Sequence, residues 1–296
     1  MEPKVSVIVN FFNGEKYLNR CITSILNQNY KNFELICWDN SSTDNSKKII
    51  ESYKDKRIRY FCNDTKISLY KARNQAIKVS FGSLIAFLDC DDWWEKNFLS
   101  SRANIFLDKN YDFFYSNGNL FLDKKSKKLK YKKYFLPSGL IFKNLCKDYF
   151  IIISGTIFRK KIFDEFGFFN ENYNIIGDYD FVMKISKQLK GHATNKELFN
   201  YRVHENNFSK LNTEMFYNEY LKWFKNEEKS EDKYFLENKF FFEKKLSYLK
   251  ITYFLLEKRK NLKTIIEILK HPDKYDIIKF LILFILPKYF YSFLKK

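Results

Sequence analysis

Glycine is scarce, with 8 residues in 296, and none falls into a phosphate-cradling pattern. Neither G-x-G-x-x-G nor G-x-x-x-x-G-K-[ST] occurs, which argues against a dinucleotide-dependent dehydrogenase and a P-loop NTPase. The five cysteines, Cys21, Cys37, Cys62, Cys90 and Cys146, have no paired spacing. That is neither a zinc pattern nor a disulfide framework, and a reducing cytosol is the simplest compartment. No internal repeat is present. Met1-Glu-Pro-Lys leads straight into a strand, so no signal peptide is expected. A spanning helix needs roughly 20 predominantly apolar residues. The most apolar stretch, residues 277–294, is interrupted by Lys279, Pro287 and Lys288. Two readings stay open for it: an amphipathic anchor lying in the membrane plane, or a helix packed on the domain or in a homodimer.

What is present is a core-forming chain. Hydrophobic residues make up 45% and aromatics 20%, enough for one large domain with an appendage or two small domains. The formal charge of +18 favours a polyanionic neighbour, nucleic acid or an anionic membrane surface. The lysines are spread out rather than lining an aromatic groove, so nucleic acid is not expected as a partner.

Hydrophobic periodicity alternates strand and helix through the first ninety residues. Strands are expected over 5–9, 33–38, 58–61 and 84–88, with helices over 17–27, from the caps Ser42, Thr43 and Asp44 to about 54, and over 69–79. Such alternation predicts an α/β fold, a parallel sheet with helices on both faces. Residues 111–122 read as a hairpin or strand pair. Residues 124–133, with seven lysines, read as a solvated loop. Residues 150–158 are β-like, while 162–166 and 181–189 are helical. Helices over 215–224, 235–257 and 262–269 predict a helical appendage, giving domains 1–210 and 211–296.

The apolar run 84–88 ends in three carboxylates, Asp89, Asp91 and Asp92. Open α/β sheets bind ligands just beyond the carboxyl ends of their strands. Carboxylates gathered there need a neutralising cation, and a hard divalent ion that also grips phosphate oxygens is the natural one. The pattern points to an enzyme handling a nucleotide or another phosphorylated donor.

These motifs occur in a telling order. Val5-Ser-Val-Ile-Val-Asn-Phe-Phe-Asn13, Trp38-Asp-Asn-Ser-Ser-Thr-Asp44, Ala72-Arg-Asn74, Phe87-Leu-Asp-Cys-Asp-Asp92, Gly177-Asp-Tyr-Asp180 and Tyr201-Arg-Val-His204 with Ser209 together resemble the family 2 glycosyltransferases of GT-A fold, over about residues 4–210. The resemblance implies that Phe11 and Asn13 belong to the nucleoside-binding turn and that Asp39 hydrogen-bonds the base, commonly uracil. It implies that Arg73 orders the nucleotide side of the site; an ion pair to one of the aspartates is the equally weighted reading. Asp91 would ligate Mn²⁺ or Mg²⁺, Asp89 would hold the ribose or a metal-bound water, and His204 would join the metal or the diphosphate. Asp92 would be a further ligand or a helix cap. Asp178 is the candidate general base, with Asp180 the runner-up and the better cap. Trp93 and Trp94 are candidates for a sugar or acceptor pocket, with core packing expected of at least one. Arg202 would meet phosphate or a structural carboxylate.

The chain departs from the family pattern at Phe11, Phe12, Asn40 and Ser41, which bears on base and sugar preference, and at Gly177, where the family usually has the first of an acidic pair, which bears on the general base. The implied activity is metal-dependent, inverting transfer of a sugar from a nucleotide sugar, expected to be UDP-linked, to a surface glycan or lipid-linked acceptor. Such a role belongs to lipopolysaccharide, capsule or O-antigen assembly, on the cytoplasmic face of the membrane. A catalytically inactive scaffold of the same fold is the alternative.

Overall fold

The computed structural model describes residues 4–123, 127–256 and 262–285. The chain divides into two compact units, Met1–His204 and Glu205–Lys296.

The first unit opens with β1 (Val5–Phe11), α1 (Glu15–Leu26), β2 (Phe33–Asp39), α2 (Ser46–Ser52), β3 (Ile58–Cys62), α3 (Leu69–Lys78) and β4 (Leu84–Phe87). These strands pair in parallel in the order β3-β2-β1-β4. Strands β1, β2 and β4 are buried along their whole length, as expected of a sheet covered on both faces. After them come β5 (Trp93–Trp94), α4 (Ala103–Phe106), β6 (Phe113–Leu122), β7 (Lys127–Lys130), α5 (Phe142–Lys147), β8 (Thr156–Arg159), α6 (Lys161–Phe166), α7 (Gly177–Ser186) and β9 (Gly191–Val203). They extend the sheet as β4-β8-β6-β9-β5, with β7 on β6.

Strand β8 runs antiparallel to both β4 and β6, so the sheet is mixed rather than parallel throughout. Strand polarity leaves no mark on a buried strand, because an apolar run packs equally well in either direction. Other boundaries moved for local reasons. Residues 113–122 form one long strand whose hairpin partner is Lys127–Lys130, inside the segment expected to be loop. The helix expected over 181–189 begins at Gly177, which brings Asp178 and Asp180 into its first turn. The thirteen-residue β9 had no expectation at all, because its first half, Gly-His-Ala-Thr-Asn-Lys-Glu, is polar. It pairs with β6 through a bulge at Asn117 and Gly118. There the Phe199 ring lies so close to two backbones that a Cβ would stand 2.5 Å from it at Gly118 and 2.4 Å at Gly155.

At the amino end of the sheet Glu34 is buried. Its Oε1 accepts from Ser6 Oγ and Phe81 N–H, each at 2.6 Å, and its Oε2 accepts from Arg59 at 2.6 Å. Burial opposes ionisation, and the bonds from Ser6, Arg59 and Phe81 overcome it, so the carboxyl sits below its ordinary value. A depressed carboxyl contributes stability above its unfolded pKa and loses it as pH falls through the folded one. Glu34→Gln is therefore expected to lose about 2–4 kcal/mol at neutral pH by urea unfolding, with the gap to wild type closing below about pH 4.

Arg102 is the opposite case, a fully buried guanidinium. Its Nη1 donates to Phe98 O at 3.0 Å and it lies 4.3 Å over the Phe98 ring. Nε and Nη2 have no acceptor among the described residues. Burial pushes the group down to about 9. Arg102→Met removes an uncompensated charge and keeps the volume, so a gain of about 1–3 kcal/mol, read as a higher melting temperature, is expected.

The second unit is helical: α8 (Phe208–Leu211), α9 (Thr213–Lys229), α10 (Lys233–Leu256), α11 (Leu262–Leu269) and α12 (Lys274–Ile285). Trp223, Phe235 and Phe242 interlock between α9 and α10, with ring centroids 5.1–6.1 Å apart. Ile251, Leu255, Ile268, Phe280 and Leu283 form a second cluster joining α10, α11 and α12. Of the expected apolar segment 277–294, residues up to 285 belong to α12 and the rest lie outside the described residues, as does the expected helix end at Glu257. No helix among the described residues is long and apolar enough to cross a membrane.

Candidate functional site

The site lies beyond the carboxyl ends of β1, β2 and β4. The turn after β1 and the turn after β2 are laced together by backbone-to-side-chain bonds. Asn13 N–H donates to Ser42 Oγ at 2.9 Å, Thr43 N–H to Asn13 Oδ1 at 2.8 Å, and Gly14 N–H to Ser46 Oγ at 2.9 Å. Asp44 accepts from the N–H groups of Ser46 and Glu15, each at 2.9 Å, an Asx turn that ties the loop after β2 to the start of α1. Asn13 takes φ +53° to make these bonds, which fits its type.

Asp39 is buried at the end of β2. Its Oδ1 accepts from Ser42 N–H at 2.7 Å and its Oδ2 from Tyr60 OH at 2.9 Å. A carboxylate has about four lone-pair sites, so capacity for a base N–H remains. Phe11 is corrected: it continues the inward row Val5, Val7 and Val9 and is core. Phe12, which alternation turns the other way, is the ring left at the surface, 39% exposed, with Lys66 Nζ 3.7 Å from its centroid. Asn40 positions the loop before Lys66, donating to Ile67 O at 2.8 Å and accepting from Ile67 N–H at 3.0 Å. Asn10 and Trp38 are register partners on β1 and β2. Both are buried, yet both amide atoms of Asn10 and Nε1 of Trp38 lack partners among the described residues. Unpaired buried polar atoms at a ligand-binding strand edge are what a polar ligand would satisfy.

The acidic turn follows β4. Arg73 Nη2 meets Asp89 Oδ1 at 2.5 Å, with the arginine buried and the Asp89 side chain 37% exposed on the cleft floor. Partial burial raises the Asp89 carboxyl, Arg73 pulls against it, and the charges of Asp91 and Asp178 add to the rise. Asp91 Oδ2 lies 2.9 Å from His204 Nε2, and His204 packs on Tyr17 with centroids 5.1 Å apart.

Asp92 turns inward. It is buried, accepts from Ser154 Oγ at 2.6 Å and from Arg202 N–H at 2.8 Å, and burial pushes its carboxyl well above the usual range. It is neither a ligand nor a helix cap. Of the two readings of Arg202, phosphate or a structural carboxylate, the structure shows the second, which makes it a brace and not a wall of a sugar pocket. Its Nε donates to Asp91 O at 2.9 Å and its Nη1 to Asp123 at 2.7 Å, a structural carboxylate. Trp93 and Trp94 are only 6% and 3% exposed, because the short strand they form pairs with Asn200 and Phe199 of β9. Trp93 is covered by the Arg20 guanidinium at 3.4 Å. Trp94 stacks on Phe98 at 3.9 Å and donates to Ser154 O at 2.6 Å. Both are packed into the core, and the hollow that Trp94 borders is lined by Asn19, Arg20 and Glu95 rather than by the acidic turn.

On the far side of the cleft Asp178 sits in the first turn of α7, where the helix dipole favours a negative charge. Tyr70 OH donates to its Oδ1, with Ile175 O at the same 2.9 Å distance. The Tyr70 ring lies against Gly177, where a Cβ would stand 2.6 Å from it. The glycine that departs from the family's acidic pair is thus the seat of the ring that holds Asp178. Asp180 occupies the same first turn, two residues on.

Among the described residues no three His, Cys, Asp or Glu side chains converge as a metal centre. Asp91 and His204 supply one oxygen and one nitrogen side by side, which fits an ion completed by phosphate oxygens and water. Phe12 was open to detection by strand parity. Tyr70, Ser154 and Asn10 carried no comparable signal, since their roles depend on which elements meet.

A parallel half-sheet continued through the antiparallel β8 to the parallel pair β6 and β9, with an arginine-clamped acidic turn at its carboxyl edge, is the GT-A-like fold of the nucleotide-sugar glycosyltransferases. Residues 6–167 match the family described as Glycosyl transferase family 2, and the chain belongs to that family. It is 31% identical over 214 residues to WfaP of Escherichia coli, a UDP-Glc:alpha-D-GlcNAc-diphosphoundecaprenol beta-1,3-glucosyltransferase, covering 69% of this chain and 79% of that one. It is 37% identical over 113 residues to WfgD of Escherichia coli, which bears the same description, covering 38% of this chain but only 45% of the relative's length. The crystal structure of S. aureus TarS in complex with UDP-GlcNAc superposes with a TM-score of 0.59 at 19% identity, covering 94% of this chain and 71% of that one.

Proposed function

We propose that the protein is a metal-dependent inverting glycosyltransferase that moves a sugar from a UDP-linked donor to a hydroxyl of a lipid-linked or surface glycan. One observation carries this reading: the Arg73–Asp89 pair, the Asp91–His204 pair and Asp178 converge closely enough for their charges to bear on one another. The names of the two bacterial relatives support a lipid-linked acceptor and a UDP sugar, as does the ligand of the TarS structure.

In this reading the base lies against Phe12 and hydrogen-bonds Asp39, with the free amide of Asn10 as a further contact. Asp91 and His204 would hold Mn²⁺ or Mg²⁺, which would supply positive charge to neutralise the leaving diphosphate. Asp89, fixed by Arg73, would receive the ribose or a water beside the ion. Asp178 accepts the proton of the acceptor hydroxyl as its oxygen forms a bond to the anomeric carbon. The bond from that carbon to the phosphate oxygen breaks on the opposite face, and its electron pair leaves with UDP. Acceptors in a lipid carrier would place the protein at the inner face of the cell membrane.

Ligand-observed NMR across a panel of nucleotide sugars, with Mn²⁺ and then with EDTA, tests the reading. Metal-dependent binding of one UDP-sugar is expected. Binding of none, with or without metal, would leave an inactive scaffold of the same fold.

A further inference from the structure

Helix α12 is apolar on two sides. Phe280 and Leu283 are buried in the cluster with Ile251, Leu255 and Ile268. Tyr275, Ile278, Ile282 and Ile285 are 86%, 58%, 53% and 81% exposed. Intervals of three, four and three residues put these four on one stripe of the helix. Single exposed apolar residues are ordinary, but four in line on a twelve-residue helix form a patch with a purpose.

The charges around the stripe are sorted by sign. The acidic residues of the segment turn toward α10: Asp273 is 2.5 Å from Lys244, and Asp276 is 3.9 Å from the same ammonium and 4.0 Å from His271. Lys279, in mid-helix, also points inward, 3.3 Å from Tyr248 OH. Lys270 and Lys274, at the turn leading into the stripe, are exposed. The outer face is therefore apolar along its length and basic at its start, with its acids neutralised behind it.

We propose that this face of α12 is a docking surface for an anionic lipid bilayer. The four side chains enter the boundary between headgroups and acyl chains, while Lys270 and Lys274 meet lipid phosphates. The surface extends the proposed action on a lipid-linked acceptor, but membrane binding is measurable without sugar transfer, so either idea can fail alone.

The test is co-sedimentation of the full chain with phosphatidylcholine vesicles, with and without about one-third phosphatidylglycerol. The variants are Ile278→Ser/Ile282→Ser and Lys270→Glu/Lys274→Glu. Both change exposed residues, and unchanged melting curves would show that they fold. Wild type is expected to sediment with the anionic vesicles and to be partly released by salt. Each variant is expected to partition at least about tenfold less. Wild type remaining in the supernatant, or a serine variant binding as well as wild type, would overturn the proposal. So would a dimer of the full chain, seen by light scattering, that the serine variant abolishes without any vesicle binding by wild type, since a second copy would then own the face.

Discussion

Asp178→Asn is expected to lower kcat about 10³-fold while leaving the affinity for the proposed UDP-linked donor within about twofold, because a general base, the role proposed for Asp178, supplies about 10²–10⁴ and touches the acceptor rather than the donor. Asparagine keeps the shape and can still accept from Tyr70 OH, so the first turn of α7 should stay as it is. Donor affinity by calorimetry and turnover by UDP release together read the split. A loss confined to KM, or turnover within tenfold of wild type, would remove Asp178 from the base role and turn attention to Asp180 in the same turn. Tyr70→Phe is the graded companion. It leaves the ring seated on Gly177 and takes away the hydroxyl that orients the carboxylate, so a smaller loss, about tenfold in kcat, is expected.

Asp91→Asn should act on a different quantity. It removes the anionic oxygen next to His204 while the neutral amide preserves volume. Affinity for Mn²⁺ and metal-dependent donor binding are both expected to fall at least about 100-fold, with turnover below detection in consequence. Titration with Mn²⁺ followed by its paramagnetic resonance signal measures the first directly, without relying on activity. Asp92→Asn is the contrast one residue away. Its carboxylate is committed to Ser154 and to the Arg202 backbone, so its loss should appear first as a lower melting temperature. Equal effects of the two variants on metal affinity would mean that the turn works as one acidic patch and not as one ligand and one brace.

The parallel half of the fold was legible because each of its strands is an apolar run followed by an amphipathic helix. Positions at the strand ends were legible too. Asp89 and Asp91 follow directly from where β4 stops, and an ion pair to an aspartate was one of two equally weighted readings of Arg73, which pairs with Asp89. What could not be read is whatever depends on strands that pair out of sequence order. Core packing was expected of at least one of Trp93 and Trp94, but that both are core shows only when β9 comes alongside and covers them. Arg202 was open between phosphate and a structural carboxylate until Asp123, at the end of β6, came within 2.7 Å. Gly177 looked like a lost acid until Tyr70, more than a hundred residues earlier, supplied the reason for it. Polar character at β9 hid the strand itself, since β6 and β9 pair through a bulge and not through a clean alternation.

The inward turn of Asp92 has a consequence for when the protein becomes competent. Its partner Arg202 is 110 residues further along the chain, and the contact from Asp91 to His204 spans 113. Contacts of such separation close late, after local helices and neighbouring strands have formed. On the ribosome the parallel half can assemble with Arg73 already on Asp89, while Asp91 and Asp92 still lack their contacts to Arg202 and His204. The turn is locked only when β9 emerges and docks. A growing chain halted before β9 would carry most of the sheet without the Arg202 and His204 contacts to Asp91 and Asp92, so the last strand to arrive completes the acidic turn.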